Sequence, residues 1–162
     1  MSCIFLLALW PREAQDEVWD KSLDAILMGS LIFPAGRATA VDGGYLLSDR
    51  WPFGSGIDYA DWNIFAGTDE EDGTLRMFVL PKSDYTVLDT WRATGLRATG
   101  SQDITVEDIF VPAHRKLRAE DTRNGESPGC TDNTGAVYRV PLFAMFFTWV
   151  WLHIARTCGG GC

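Results

Sequence analysis

The residues of this chain best suited to chemistry lie between Gly44 and Trp62, around Trp51-Pro-Phe-Gly-Ser-Gly56. That stretch reads as a strand, a sharp turn over 51–56 and a second strand. The turn sets the Trp51 and Phe53 rings, the Ser55 hydroxyl, Gly54 and Gly56 at one point. Such a surface suits a flat conjugated ligand that needs a stacking partner, one hydrogen bond and close backbone approach. A flavin meets that description. A tight turn over a packed core would produce the same residues.

Other candidates surround this turn. Asp58 and Asp61 have the chemistry of acid–base residues, and equally that of turn caps. Thr99, Ser101 and Asp103 either line a pocket or hold a hydrogen-bonded loop. His114 follows Pro112 and is expected to be exposed. His153, a proton shuttle by type, sits on an apolar segment where a satisfied core histidine is the alternative. Cys158-Gly-Gly-Gly-Cys162 resembles a metal pair, but two thiols with only His114 and His153 as imidazoles do not complete a tetrahedral site, so no metal is expected.

These residues need elements to position them. Pro11 to Trp19 opens with proline and acids, which favours a helix start, with Glu13, Asp16 and Glu17 on a solvated face. Leu23, Ile26 and Leu27 continue at helical spacing, with Gly29 as the stop. From Arg37 the period changes to two. Strands are expected at 37–41, 45–51, 61–67, 75–80, 85–89 and 103–111, with Asp42-Gly43 as a hairpin turn. Such a run implies an antiparallel β-barrel or sandwich within an α+β chain. Residues 113–136 are polar and rich in turn formers, as in a connector. From Pro141 a helix follows whose Phe143, Met145, Phe146, Phe147, Trp149 and Trp151 point in nearly every direction, which implies further helices or an oligomer around it.

Composition narrows the classes of function. The chain has 162 residues, 46% hydrophobic and 22% charged, enough for one domain with a real core. Net charge is −8 and the 14 basic residues are scattered, so no stripe exists to neutralise phosphates and nucleic acid is not an expected partner. Asp69-Glu-Glu-Asp72 reads as a solvated loop tip. Residues 3–10 lack the charged flank of a signal peptide, and 142–152 is about half of the ~20 residues a span requires, so no membrane role is expected. Cys3, Cys130, Cys158 and Cys162 show no disulfide-framework spacing, which fits a reducing, cytoplasmic setting.

Five ordered segments carry a family likeness. They are Leu6 to Gln15; Phe33-Pro-Ala-Gly-Arg37 through Tyr45; Arg50-Trp-Pro-Phe-Gly-Ser-Gly56; Thr94-Gly-Leu-Arg-Ala-Thr-Gly-Ser-Gln-Asp103 with Val106 to Pro112; and Tyr138 to Phe146. Together they resemble the acyl-CoA dehydrogenase superfamily, most closely its flavin-dependent monooxygenase branch. Dehydrogenases of that superfamily typically carry Trp-Ile-Thr-Asn-Gly at the turn; Trp51-Pro-Phe-Gly-Ser-Gly56 is similar to the oxygenases.

The resemblance implies that residues 1–32 end an N-terminal helical domain, 33–112 form the central flavin-facing β-domain, 113–136 connect, and 137–162 begin a C-terminal helical domain. It implies a flavin, FMN or FAD, with Trp51, Pro52, Phe53, Gly54, Ser55 and Gly56 against it. Trp51 and Phe53 would pack beside the ring system, and Ser55 would bond near its N5 edge. It further implies a monooxygenase that oxygenates a small aromatic or heterocyclic substrate through a flavin hydroperoxide, working with a separate flavin reductase and forming a homo-oligomer at full length. No nicotinamide fingerprint or phosphate loop appears, which agrees with a separate reductase. Family members are longer, and their catalytic groups fall in regions this chain lacks; the catalytic residues are therefore unknown and the chain is expected to be truncated. An acyl-CoA dehydrogenase and a non-catalytic β-barrel module are the alternatives.

Overall fold

A computed structural model describes residues 3–32 and 36–132. Phe33, Pro34 and Ala35, the apolar helix expected from Pro141, His153, Cys158 and Cys162 lie outside the described residues. Two helices come first, α1 (Ile4–Leu7) and α2 (Arg12–Trp19). Strands β1 (Leu27–Ser30), β2 (Arg37–Val41), β3 (Gly44–Gly54), β4 (Trp62–Asp69), β5 (Leu75–Pro81), β6 (Thr86–Leu88), β7 (Gln102–Pro112) and β8 (Lys116–Arg118) follow. Helices α3 (Ala119–Asn124) and α4 (Pro128–Asp132) close the described region.

The strands form one sheet in the order β6-β7-β3-β2-β4-β5-β8, with β1 also paired to β4. This is α+β architecture dominated by a sheet, as the alternation implies. Two features of the expected barrel are corrected. The sheet is open, with β6 and β8 at its ends, and it is mixed rather than antiparallel. Both β1 and β2 run parallel to β4, Leu27 opposite Trp62 and Arg37 opposite Thr68. They occupy successive stretches of the same β4 edge.

The N-terminal helix is shorter than its sequence pattern. It ends at Trp19, and Leu23, expected on its apolar face, is 84% exposed. Leu27 to Ser30 form a strand instead, because three apolar residues at helical spacing are too few to fix a period and β4 offers a ladder. The Ile26 carbonyl accepts from the Asp61 and Trp62 amides, and the Asp61 carboxylate accepts from the Ile26 amide at 2.8 Å. Asp61 is thus an anchor for β1. At the hairpin, Gly43 has φ 76° between β2 and β3, as Asp-Gly turns require.

Two cores lie on opposite faces of β4. Trp62 and Ile64 point to the helical side, where they meet Leu6, Trp10, Val18 and Leu117. Phe65 points to the other side, with Leu47, Trp51, Phe78, Tyr85 and Ile104. Six successive residues from Trp62 to Gly67 are therefore buried, which a strand covered on both faces requires.

Side chains lock the start of the chain to the turn at Ala113–Arg115, between β7 and β8. The Trp10 indole N–H donates to the Arg115 carbonyl at 2.9 Å, and Glu17 bridges the Arg115 guanidinium and the His114 ring, 3.0 Å from Nε2. Glu17 is thus no solvated helix residue, and His114 is half-buried rather than exposed. Burial pushes the Glu17 carboxyl up, but Arg115 and His114 together outweigh it and hold it below the usual range. The expected solvated tip at 69–72 also needs correcting. Asp69 is buried and paired with the equally buried Arg76 at 2.7 Å, while Glu70, Glu71 and Asp72 remain exposed. A charge that far from water is sustained only by such a partner.

Candidate functional site

Strand β3 does not turn at Trp51. It runs through Trp51-Pro-Phe-Gly54 alongside β7, and the reversal begins at Ser55. Between Trp51, opposite Ile104, and Gly54, opposite Gln102, β3 spends one residue more than β7. That bulge sets Phe53 at φ 61°, a left-handed conformation that costs a non-glycine residue about 1–2 kcal/mol. The consequence is visible in exposure. Phe53 is 59% exposed, its ring 6.5 Å from that of Trp91 in an edge-on arrangement.

Trp51 faces the other way. It is fully buried, its indole N–H donates to the Ala66 carbonyl at 2.7 Å, and its ring meets Phe65 edge-on at 4.9 Å. The two rings that the sequence sets side by side thus point to opposite sides of the strand. Phe53 and Ser55 form the outward surface, and Trp51 supports it from the core. Both glycines have reasons inside the protein. A Cβ on Gly54 would sit 2.6 Å from the Ile104 side chain, and Gly56 has φ 75° while its amide donates to the Thr99 carbonyl at 2.8 Å.

The loop from Asp89 to Ser101 is laid against this corner. Gln102 Oε1 accepts from the Thr90 and Trp91 amides, each at 2.9 Å, and the Thr90 hydroxyl accepts from the Asp103 amide. Ser101, almost wholly buried, stands between two hydroxyls, Ser55 and Thr99, each at 2.8 Å. Asp103 does not join them; its carboxylate holds Arg50 at 2.5 Å. Beyond lies a cavity of about 690 Å³ lined by Asp58, Tyr59, Trp91, Arg92, Arg97 and Gln102 among others. Arg92 is committed to Asp89 at 2.7 Å, and that guanidinium holds the carboxyl below its ordinary range. Arg97 has no ion-pair partner among the described residues.

The sequence named Phe53, Ser55, Thr99, Ser101 and Asp58, and the structure gathers them around one corner. Trp91, Gln102 and Arg97 escaped it. Their common signal is register: Gln102 faces Gly54 across β3 and β7, so the loop before it must pass the turn after Gly54.

No protein-family model matches the chain. Individual relatives do. The sequence is 39% identical over 138 residues to the flavin-dependent monooxygenase oxygenase subunit HsaA of Rhodococcus jostii, covering 83% of this chain and 36% of that protein. It is 41% identical over 129 residues to the FADH(2)-dependent resorcinol hydroxylase oxygenase component of a Rhizobium species, covering 77% and 31%. The chain is homologous to oxygenase components of flavin-dependent monooxygenases. The crystal structure of 3-HSA hydroxylase from Rhodococcus sp. RHA1 superimposes with a TM-score of 0.81 at 38% identity, over 85% of this chain and 36% of that one. A glutaryl-CoA dehydrogenase from Mycobacterium smegmatis, 20% identical with a TM-score of 0.61, shares the fold alone. This chain spans about a third of the length of the oxygenase relatives it matches. No helix among its described residues is long and apolar enough to cross a membrane.

Proposed function

We propose that this chain supplies the flavin-facing β-region of a reduced-flavin-dependent monooxygenase acting on a small aromatic or heterocyclic substrate. The observation that carries the reading is the bulge at Pro52-Phe53. It holds an aromatic ring outward at a cost in backbone strain, edge-on to Trp91, which lines a cavity of about 690 Å³. Packing on Trp91 offsets only part of the strain at a ring that is 59% exposed, so a ligand is the reason to keep it. The residues fit a flavin: an exposed ring for one face, a hydroxyl for the edge, and a space within the range of cofactor sites.

Reduced flavin, when bound, brings the electrons and the site at which dioxygen is activated. The chain's own part is to hold and shield. Phe53 and Trp91 form an apolar wall that keeps water from one face, and Ser55 orients one edge. Gly54 and Gly56 let the backbone lie close, while Pro52 and Trp51 fix the bulge from beneath. The assignment of 51–56 to the cofactor is therefore divided into direct contact, by Phe53 and Ser55, and support. A flavin reductase as separate partner, a cytoplasmic setting and a homo-oligomer of the longer relatives' kind belong to the same proposal.

The test is turnover. The protein is mixed with reduced FMN or FAD and a phenolic substrate, then exposed to air, and hydroxylated product is counted against peroxide. Hydroxylated product supports the reading. Flavin binding with peroxide alone would contradict oxygenation, and absence of binding would leave a non-catalytic β-module. Anaerobic bleaching of oxidised flavin by an acyl-CoA would transfer the chain to the dehydrogenases.

A further inference from the structure

The hydroxyl chain at the corner has a direction, and that direction decides what Ser55 can offer a ligand. Thr99 Oγ1 lies 2.9 Å from the Leu96 carbonyl oxygen, which can only accept; that oxygen also takes the Thr99 amide at 3.0 Å and the Trp91 indole N–H at 3.3 Å, and the hydroxyl is the shortest of the three contacts, which places the Thr99 proton there. Thr99 Oγ1 also lies 2.8 Å from Ser101 Oγ, and with its own proton spent it can only accept from Ser101. Ser101 Oγ lies 2.8 Å from Ser55 Oγ, and with its proton given to Thr99 it must accept from Ser55. Each hydroxyl has one proton, so with the Thr99 proton on the Leu96 carbonyl the order runs from Ser55 to Ser101 to Thr99 to that carbonyl. Ser55 is left with lone pairs and no proton for anything outside the chain.

We propose that Thr99 and Ser101 are positioning residues that lock the Ser55 hydroxyl as a hydrogen-bond acceptor towards the bound cofactor. The inference rests on the proposed placement of Ser55 at the N5 edge of a flavin. Reduced flavin carries a hydrogen on N5 and offers a donor, whereas oxidised flavin has a bare N5 that only accepts. A Ser55 held as acceptor matches the reduced form and sets two acceptors against each other in the oxidised one. The lock is well placed to persist. Ser101 is almost wholly buried, where water cannot supply a substitute partner, and the Gly56 amide to Thr99 carbonyl bond holds the two loops together independently of the hydroxyls.

The experiment measures binding and potential, not turnover. Dissociation constants for reduced and oxidised FMN are measured anaerobically for the wild type, Thr99→Val, Ser101→Ala and Thr99→Ser, with circular dichroism confirming the fold of each. In Thr99→Val, Ser101 loses its acceptor and turns its proton to Ser55, which frees the Ser55 proton for the ligand. In Ser101→Ala the Ser55 proton loses its destination directly. The expected wild-type preference for reduced flavin is about tenfold, falling to about twofold or less in both variants. Thr99→Ser should keep it. For the two-electron couple, tenfold corresponds to a rise of about 30 mV in the potential of bound flavin, lost in the same two variants. A wild-type preference unchanged in folded Thr99→Val and Ser101→Ala would overturn the lock while leaving the flavin site standing. Absence of flavin binding in the wild type would instead remove the functional reading on which the lock rests.

Discussion

Trp51 and Phe53 are two residues apart, yet their replacement should have opposite consequences. Replacing Trp51 with Phe orphans the buried Ala66 carbonyl that its indole N–H satisfies, a loss of about 1–3 kcal/mol. The smaller ring also leaves a void of roughly 40 Å³, worth about 1 kcal/mol at ~24 cal/mol per Å³. The sum is a destabilisation of about 2–4 kcal/mol. Phe53→Gly returns at most ~80 Å² of apolar surface to water, about 2 kcal/mol, because the ring is already 59% exposed. Release of the left-handed strain offsets about 1–2 kcal/mol of this, and the added chain entropy of glycine takes back ~0.5–1 kcal/mol. The net loss should be about 1 kcal/mol. Urea unfolding followed by far-ultraviolet circular dichroism gives both stabilities, and anaerobic flavin titration gives both affinities. Trp51→Phe should keep its flavin Kd within about threefold. Phe53→Gly should raise it about tenfold, equivalent to ~1.4 kcal/mol. A stable Trp51→Phe that no longer binds flavin, or a Phe53→Gly that binds normally, would refute the division between support and contact.

Other perturbations test the frame. Arg76→Met leaves Asp69 buried without its counter-charge and should cost about 3–5 kcal/mol by urea unfolding. Because the Glu17 carboxyl is held below its ordinary range, its contribution to docking α2 is present above that range and lost as pH falls through the lowered value. The melting temperature of Glu17→Gln should therefore lie below that of the wild type at neutral pH, with the two converging on acidification. Gly129→Ala would drive a methyl into the Ala8 carbonyl, and should lower stability by about 1–3 kcal/mol, read by thermal melting.

Much of the sheet was legible because alternation is a local signal. β2 and β4 to β7 fall within two residues of where the period of two begins and ends, β3 continues three residues past its expected end at Trp51, and Asp42-Gly43 marks the hairpin between β2 and β3. What escaped depends on partners distant in sequence. Leu27 to Ser30 become a strand only because β4 lies beside them, and the parallel pairing of β1 and β2 to β4 leaves no local trace. Lys116 to Arg118 form β8 within a stretch whose polarity suggested a connector. At the proposed site, residue types are read from the sequence, but their orientation is not. A strand period broken by one bulge residue turns Phe53 out while Trp51 faces inward. Nothing near Ser55 announces that Ser101 lies 2.8 Å away, since that contact is set by the register of β3 on β7. Asp69 reads as a loop-tip acid because its neighbours are; the position of Arg76 across the turn makes its burial tolerable.

A crystal structure of this protein grown with reduced flavin under anaerobic conditions would show whether the Phe53 corner holds the cofactor. The ring system should lie in van der Waals contact with Phe53, with its N5 edge within hydrogen-bonding distance of Ser55 Oγ. Flavin bound elsewhere on the chain, with the Phe53 ring still facing solvent, would contradict it.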